Sequence, residues 1–233
     1  MQPQDKAICV IPARGGSKRI PGKNIRLIGG IPMIGHAIRT AIASDCFKRI
    51  IVSTDNEDIA TISREYGAET PFVRDPVLSD DHAGTAPVIA DAIIKTSSQD
   101  IEFICCIYPT TPLLRGTDIS DALKQLASSE ANALLSVTDF DYPPLRALKS
   151  EAGGTVTFNW PQYETTRSQD LPDLLHDAGQ FYWMRTKPFL KNTKLVPEGT
   201  LAFRMERLRC ADIDTEEDLA FAEALYAYHR QND

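Results

Sequence analysis

The chain has 233 residues, 42% hydrophobic and 24% charged, enough for one substantial core in a single domain. Its net charge is −7 and no run approaches the roughly 18 apolar residues of a membrane span, which argues against a nucleic-acid binder and a membrane protein. The polar start, Met1 to Lys6, precedes an apolar run too short for a signal segment, so the expected location is cytoplasmic.

A short apolar run over 7–11 predicts a first β-strand. It delivers the segment Pro12-Ala13-Arg14-Gly15-Gly16-Ser17-Lys18-Arg19-Ile20-Pro21-Gly22-Lys23-Asn24 to a sheet edge. Small residues let backbone N–H groups approach an anion, and Arg14, Lys18, Arg19 and Lys23 supply fixed cations. Together these suit a triphosphate. Residues 1–30 hold six Lys/Arg and one acid, net +5, which leaves −12 for the rest of the chain. The loop is not a Walker A sequence, because Asn24 follows Gly22-Lys23 and Ser17 stands where the first glycine belongs. No register of Gly15, Gly16 and Gly22 gives the dinucleotide fingerprint, so a Rossmann dehydrogenase is excluded. The plain alternative is a Gly-rich surface turn with solvated cations.

Helical spacing over 33–43 places Ile34, Ala37, Ile38, Ala41 and Ile42 on one buried face. A strand over 49–53 follows. Asp55-Asn56-Glu57-Asp58 then opens a helix that Gly67 closes. Further helices are expected over 85–96 and 118–127, and strands over 101–108 and 133–137. This alternation predicts an α/β fold with a mostly parallel sheet and helices on both faces. Residues 139–178 interrupt it with Pro143-Pro144, Gly153-Gly154 and Pro161, and read as a β-hairpin insertion around Val156 and Phe158. Strand-like runs over 180–184 and 200–203 and a helix over 215–228 complete a single domain. Cys9, Cys46, Cys105, Cys106 and Cys210 read as reduced, buried small hydrophobes.

Asp212-Ile213-Asp214 puts two carboxylates on one side of an extended segment. Two oxygen donors at that spacing suit Mg²⁺, which fills its other positions with water and phosphate oxygens. Alternatively, Asp214 caps the helix that follows.

The loop Ile11 to Asn24 resembles the signature of the sugar-acid cytidylyltransferases, which make CMP-activated nonulosonic acids. The resemblance continues through Val52-Ser53-Thr54-Asp55, Phe72-Val73-Arg74-Asp75-Pro76, Tyr108-Pro109-Thr110-Thr111-Pro112-Leu113 and Asp212 to Leu219, nearly the whole chain. His176-Asp177-Ala178-Gly179-Gln180-Phe181-Tyr182-Trp183 resembles the pseudaminic acid branch, where the sialic acid enzymes usually read Asn-Gly-Ala-Ile-Tyr.

The resemblance implies a Rossmann-like nucleotidyltransferase sheet, a β-hairpin arm at about 139–178 that crosses a homodimer, Mg²⁺ on Asp212 and Asp214, and CTP as donor. It implies nucleotide contacts from Pro12, Ala13, Arg14, Gly15, Gly16, Ser17, Lys23, Asn24, Arg74 and Thr85. Asn24 is expected to read the cytosine edge. For Arg74 a surface salt bridge with Asp75 or Asp80 is an equal alternative. Tyr108, Arg167, Gln180, Phe181 and Tyr182 are the expected sugar contacts, with Arg167 forking to the carboxylate and Arg146 a weaker candidate. Catalysis is expected from Arg14, Lys23 and Asp212, the last as the best candidate base, with a metal-bound hydroxide an equal alternative. His176 and Asp177 read more readily as a structural pair, and His36 as a packed residue, while His82 and His229 carry no signal. The expected reaction is pseudaminic acid plus CTP giving CMP-pseudaminic acid and pyrophosphate, which would supply surface glycans or modified flagellin. The alternatives are N-acetylneuraminic, legionaminic or 3-deoxy-octulosonic acid as acceptor, or a non-catalytic nucleotide-binding homologue.

Overall fold

A computed structural model describes residues 6–80 and 83–232; His82 lies outside them. Six strands form one sheet in the order β10-β6-β9-β5-β1-β4. They are β1 (Ala7–Pro12), β4 (Arg49–Ser53), β5 (Phe103–Ile107), β6 (Ala133–Asp139), β9 (Leu175–Arg185) and β10 (Leu201–Arg204). β1 runs parallel to β4 and β5, and β10 parallel to β6, whereas β9 is antiparallel to both of its neighbours. Two short pairs stand apart: β2 (Leu27–Ile28) with β3 (Ile31–Pro32), and β7 (Leu148–Ser150) with β8 (Val156–Phe158).

Period-two alternation along the buried strands builds two cores. Cys9, Ile11, Cys105, Ile107, Phe181 and Trp183 pack on the face covered by α1 (Met33–Ala43), α2 (Glu57–Glu65) and α4 (Gly116–Ala127). Ile8, Val10, Ile104, Cys106, Tyr182 and Met184 pack on the other face, against α3 (Thr85–Lys95) and α5 (Thr186–Asn192). The short α5 was not expected from sequence; it is a single capped stretch of seven residues. Ile42 leaves the predicted buried stripe of α1 and is half exposed. Asn56 accepts the Ile59 amide at 3.0 Å and caps α2, and Gly67 follows the helix at φ +96°.

A third cluster joins Ile20, Ile28, Met33 and Leu113 to Ala211 and Ile213 and to the inner face of α6 (Glu216–Asn232). It ties the loop after β1 to the segment before α6. His36 packs as expected: it is buried, its Nε2 lies 2.9 Å from the Ile28 carbonyl, and its ring meets Tyr226 edge-on. Cys9, Cys46, Cys105 and Cys106 are buried and free, and Cys210 is half-buried.

The insertion between β6 and β9 carries the expected hairpin. Gly153 and Gly154 take φ of +83° and +81°, left-handed values that let the five-residue connection 151–155 reverse the chain without strain. Among the described residues no helix is long and apolar enough to cross a membrane.

Candidate active site

A cleft of about 790 Å³ opens at the carboxyl ends of β1 and β5, where the strand order reverses around β1. One wall is the loop after β1: Pro12, Arg14, Ser17, Lys18, Arg19, Lys23 and Asn24. Thr85 at the start of α3 and Tyr108 to Thr110 after β5 form the floor. His176, Asp177, Gly179 and Tyr182 come from β9, and Asp212 and Asp214 close the far side.

The two ends of this cleft already touch. Asp214 receives Arg19 at 2.8 Å and Lys23 at 3.2 Å, and Lys23 Nζ also donates to the Ile213 carbonyl at 2.7 Å. Ala211 and Ile213 turn into the third cluster, so Asp212 and Asp214 both face the cleft. Asp214 does not cap α6. That role belongs to Thr215 and Asp218, which exchange hydrogen bonds: the Thr215 amide to Asp218 at 2.8 Å, and the Asp218 amide to the Thr215 hydroxyl at 3.2 Å. The Asp212 carboxyl is raised above its usual value, first by burial and then by the negative charge of Asp214. A cation between the two would relieve that repulsion. Among the described residues no third His, Cys, Asp or Glu joins them, so the donor set fits a metal that completes its shell with water and phosphate oxygens.

The loop is held from behind. Asp55 Oδ1 accepts the Gly15 amide at 2.9 Å, and Arg14 Nη1 donates to the Asp80 carbonyl at 3.0 Å. A Cβ at Gly15 would fall 2.9 Å from Asn56 Cβ, too close for a real side chain, whereas one at Gly16 would meet nothing. Buried Ala13 and half-buried Gly15 therefore shape the loop from behind, while Gly16 is exposed with open space around it. Asn24 is buried and donates its amide nitrogen to the Arg14 carbonyl at 2.9 Å. That bond braces the loop with one N–H of the amide, while Asn24 also lines the cleft.

Thr85 and Tyr108 share a hydroxyl hydrogen bond of 2.9 Å. The rings of Tyr108 and Tyr182 meet edge-on at 5.6 Å, and Tyr182 donates to Asp177 Oδ2 at 2.5 Å. Burial raises both phenols, so they stay protonated donors. Asp177 Oδ1 accepts the Gly179 amide at 2.9 Å. His176 Nδ1 donates to the Asp177 carbonyl at 2.5 Å, since a carbonyl can only accept.

Five sequence expectations place differently. Arg74 is buried away from the cleft wall; it donates through Nε to Ser53 Oγ at 3.1 Å and through Nη2 to the Ser53 carbonyl, bracing the end of β4. It makes no surface ion pair with Asp75 or Asp80 of the kind weighed for it. Arg167 lies on the arm, exposed and paired with Asp170 at 2.7 Å, outside the cleft wall. Phe181 is fully buried, because its odd position on β9 faces α1 and α4. Gln180 is buried too and donates to the Ala178 carbonyl at 2.9 Å. Arg146 is exposed on the arm, in a short turn after Pro143. His176 and Asp177, expected as a structural pair, and Gly179, given no role, form the wall, as do Lys18 and Arg19, expected only as loop cations. The adjacent His-Asp pair just before β9 enters the core was the available signal.

A family model described as cytidylyltransferase matches residues 8–232. A pseudaminic acid cytidylyltransferase of Campylobacter jejuni is 37% identical over 229 residues, 97% of this chain and 99% of its own. A CMP-N,N'-diacetyllegionaminic acid synthase of Legionella pneumophila is 28% identical over 97% of this chain and 98% of its own. Among solved structures, a CMP:2-keto-3-deoxy-manno-octonic acid synthetase complexed with CTP superposes with a TM-score of 0.71 at 19% identity, covering 96% of this chain and 99% of its own. The likeness to that structure is one of fold. The loop, the cleft and the full-length matches agree, and the chain belongs to the cytidylyltransferase family, among the nonulosonic acid cytidylyltransferases.

Proposed function

We propose that this cleft transfers the cytidylyl group of CTP to pseudaminic acid. The anomeric oxygen of the acid bonds to the α-phosphorus, the bond from that phosphorus to the β-phosphate oxygen breaks, and pyrophosphate leaves. The observation that carries the reading is the meeting of Arg19 and Lys23 with Asp214 across one cleft. Loop cations and acidic segment thereby face one another at a single point of the cleft. The Arg19–Asp214 pair is exposed and costs about 1 kcal/mol or less to open, small against what a bound triphosphate supplies.

In this reading Arg14, Lys18, Arg19 and Lys23 neutralise the triphosphate and the departing pyrophosphate, and Asp214 exchanges its lysine and arginine for a cation. Asp212 and Asp214 would hold Mg²⁺, which would supply positive charge at the phosphates and make the attacking hydroxyl more acidic. Asp212, which lines the cleft next to Asp214, accepts the proton of that hydroxyl. Thr85, Tyr108 and Tyr182 present hydroxyls along the floor and orient the acceptor for in-line attack. Ala13, Gly15, Asn24 and Arg74 act as supports of the loop and of β4, and Pro12, Gly16 and Ser17 line the nucleotide.

We further propose a homodimer joined through the β7–β8 hairpin, whose Leu148 and Val156 are more than half exposed. The reaction is placed in the cytoplasm, where CTP is made.

The test of acceptor and chemistry is pyrophosphate release from CTP and Mg²⁺ with four acids in parallel: pseudaminic, N-acetylneuraminic, legionaminic and 3-deoxy-octulosonic. Turnover concentrated on pseudaminic acid and abolished by a chelator is the expected result. A different preferred acid would keep the chemistry and replace the acceptor. The loop gives a sharper local prediction: Gly15→Ala raises the KM for CTP about tenfold or more by pushing the loop off Asn56, while Gly16→Ala leaves it nearly unchanged. Equal effects at the two positions, measured by steady-state kinetics, would contradict the packing account of Gly15.

A further inference from the structure

Four side chains of the cleft form one hydrogen-bonded row, and the chemistry of its last member decides which way each proton in it points. The row begins at Thr85, the first residue of α3, and passes through Tyr108 after β5 and the buried Tyr182. It ends at Asp177, exposed near the start of β9. Thr85 Oγ1 lies 2.9 Å from the Tyr108 hydroxyl, which hydrogen-bonds the Tyr182 hydroxyl in turn, and that hydroxyl lies 2.5 Å from Asp177 Oδ2. Among the described residues, Thr85 and Asp177 are joined only through the two tyrosines.

A carboxylate can only accept, and a hydroxyl has a single proton to give. Tyr182 therefore gives its proton to Asp177, the Tyr182 oxygen takes that of Tyr108, and the Tyr108 oxygen takes that of Thr85. This settles the Thr85–Tyr108 bond, whose geometry by itself allows either donor. Every proton of the row is spent inside it, so what faces the cleft is lone pairs.

We infer that Asp177 is a positioning residue: its carboxylate orients the Tyr182–Tyr108–Thr85 row so that this floor of the cleft accepts hydrogen bonds. The substrate group seated on it is then a donor, an N–H or an O–H. The inference rests on the cytidylyl-transfer reading, which makes this cleft the substrate site. The Gly179 amide makes the polarity reversible by one isosteric change. It donates to Asp177 Oδ1 at 2.9 Å and needs an oxygen there. In Asp177→Asn the side-chain oxygen stays on Gly179, and the NH₂ group faces Tyr182. Tyr182 then accepts and passes its own proton to Tyr108, Tyr108 passes its proton to Thr85, and Thr85 turns a donor against the donor of the substrate.

The experiment measures kcat/KM with CTP and pseudaminic acid, together with the melting temperature, for Asp177→Asn, Asp177→Ala, Thr85→Val and the Asp177→Asn/Thr85→Val double variant. Asp177→Asn is expected to lose about 10–100-fold in kcat/KM while melting close to wild type. Asp177→Ala leaves the row undirected and the Gly179 amide without its oxygen, so it is expected to melt lower and yet lose less activity. A purely structural role for Asp177 would give the opposite order. In the Thr85→Val background Asp177→Asn is expected to cost less than about threefold, although residues without a shared partner ordinarily act additively. Tyr108→Phe, which breaks the row in the middle, serves the same cycle where Thr85→Val does not fold. An equal cost of Asp177→Asn in both backgrounds, or a greater loss of activity in Asp177→Ala than in Asp177→Asn, overturns this inference alone. A wild type that turns over no sugar acid overturns the transfer reading and this inference with it.

Discussion

Asp214→Ala is expected to lower kcat on the order of 10³-fold, the several kcal/mol of charge stabilisation that a catalytic cation supplies. The fold should hold. Asp214 is part-exposed, Thr215 and Asp218 cap α6 without it, and Ile213 keeps the segment anchored in its apolar cluster. Loss of the exposed Arg19 pair and the part-buried Lys23 pair is expected to lower the melting temperature by only about 2–8 °C in a chain of this size. Removing the carboxylate also frees Arg19 and Lys23 from their present partner, so the KM for CTP is expected to stay level or fall. That split between kcat and KM separates a metal-holding role from a structural one. A variant with near-normal Mg²⁺-dependent turnover would remove Asp214 from the metal site.

Lys23→Ala is expected to damage both parameters. Lys23 Nζ holds the Ile213 carbonyl at 2.7 Å and Asp214 at 3.2 Å, and its side chain is only 21% exposed. It is thus both a cation for the triphosphate and the tie between loop and acidic segment. Loss of one such preorganised donor costs about 10²–10³ in kcat, and CTP affinity should fall with it. Lys23→Arg should not restore activity, because a planar fork does not reproduce one ammonium held between a carbonyl and a carboxylate. Kinetics together with calorimetric CTP binding checks this; unchanged CTP affinity in Lys23→Ala would sink the loop assignment.

The strands and most helices were legible because their causes are local. The apolar runs of β1 and β5, the Asn56 cap and the Gly153-Gly154 turn each specify structure within a few residues. The alternation of Asp212, Ile213 and Asp214 was legible for the same reason, and Ile213 fixes its phase by burying itself. Phase is what sequence did not provide on β9. A period of two says that Phe181 and Tyr182 face opposite sides, not which side holds the cleft. The pairing of β9 with β6 also shifts register between Leu135 and Val137, which resets the alternation just before His176 and Asp177 reach the wall. Gln180 and Phe181 were misplaced on that account. Arg74 and Asn24 were placed by motif, and burial turned their donors to Ser53 and to the Arg14 carbonyl. Such partners are set by loops 10 to 21 residues apart and leave no local trace.

The account stands on cytidylyl transfer through Asp214 and the loop cations, and label transfer from CTP tests it most directly. CTP labelled at the α-phosphorus would be incubated with Mg²⁺ and pseudaminic acid, using wild type and Asp214→Ala in parallel. Wild type is predicted to move the label into a CMP-sugar while unlabelled pyrophosphate is released, and the variant to leave the label in CTP. Label remaining in CTP with wild type, or moving equally well with Asp214→Ala, would contradict it.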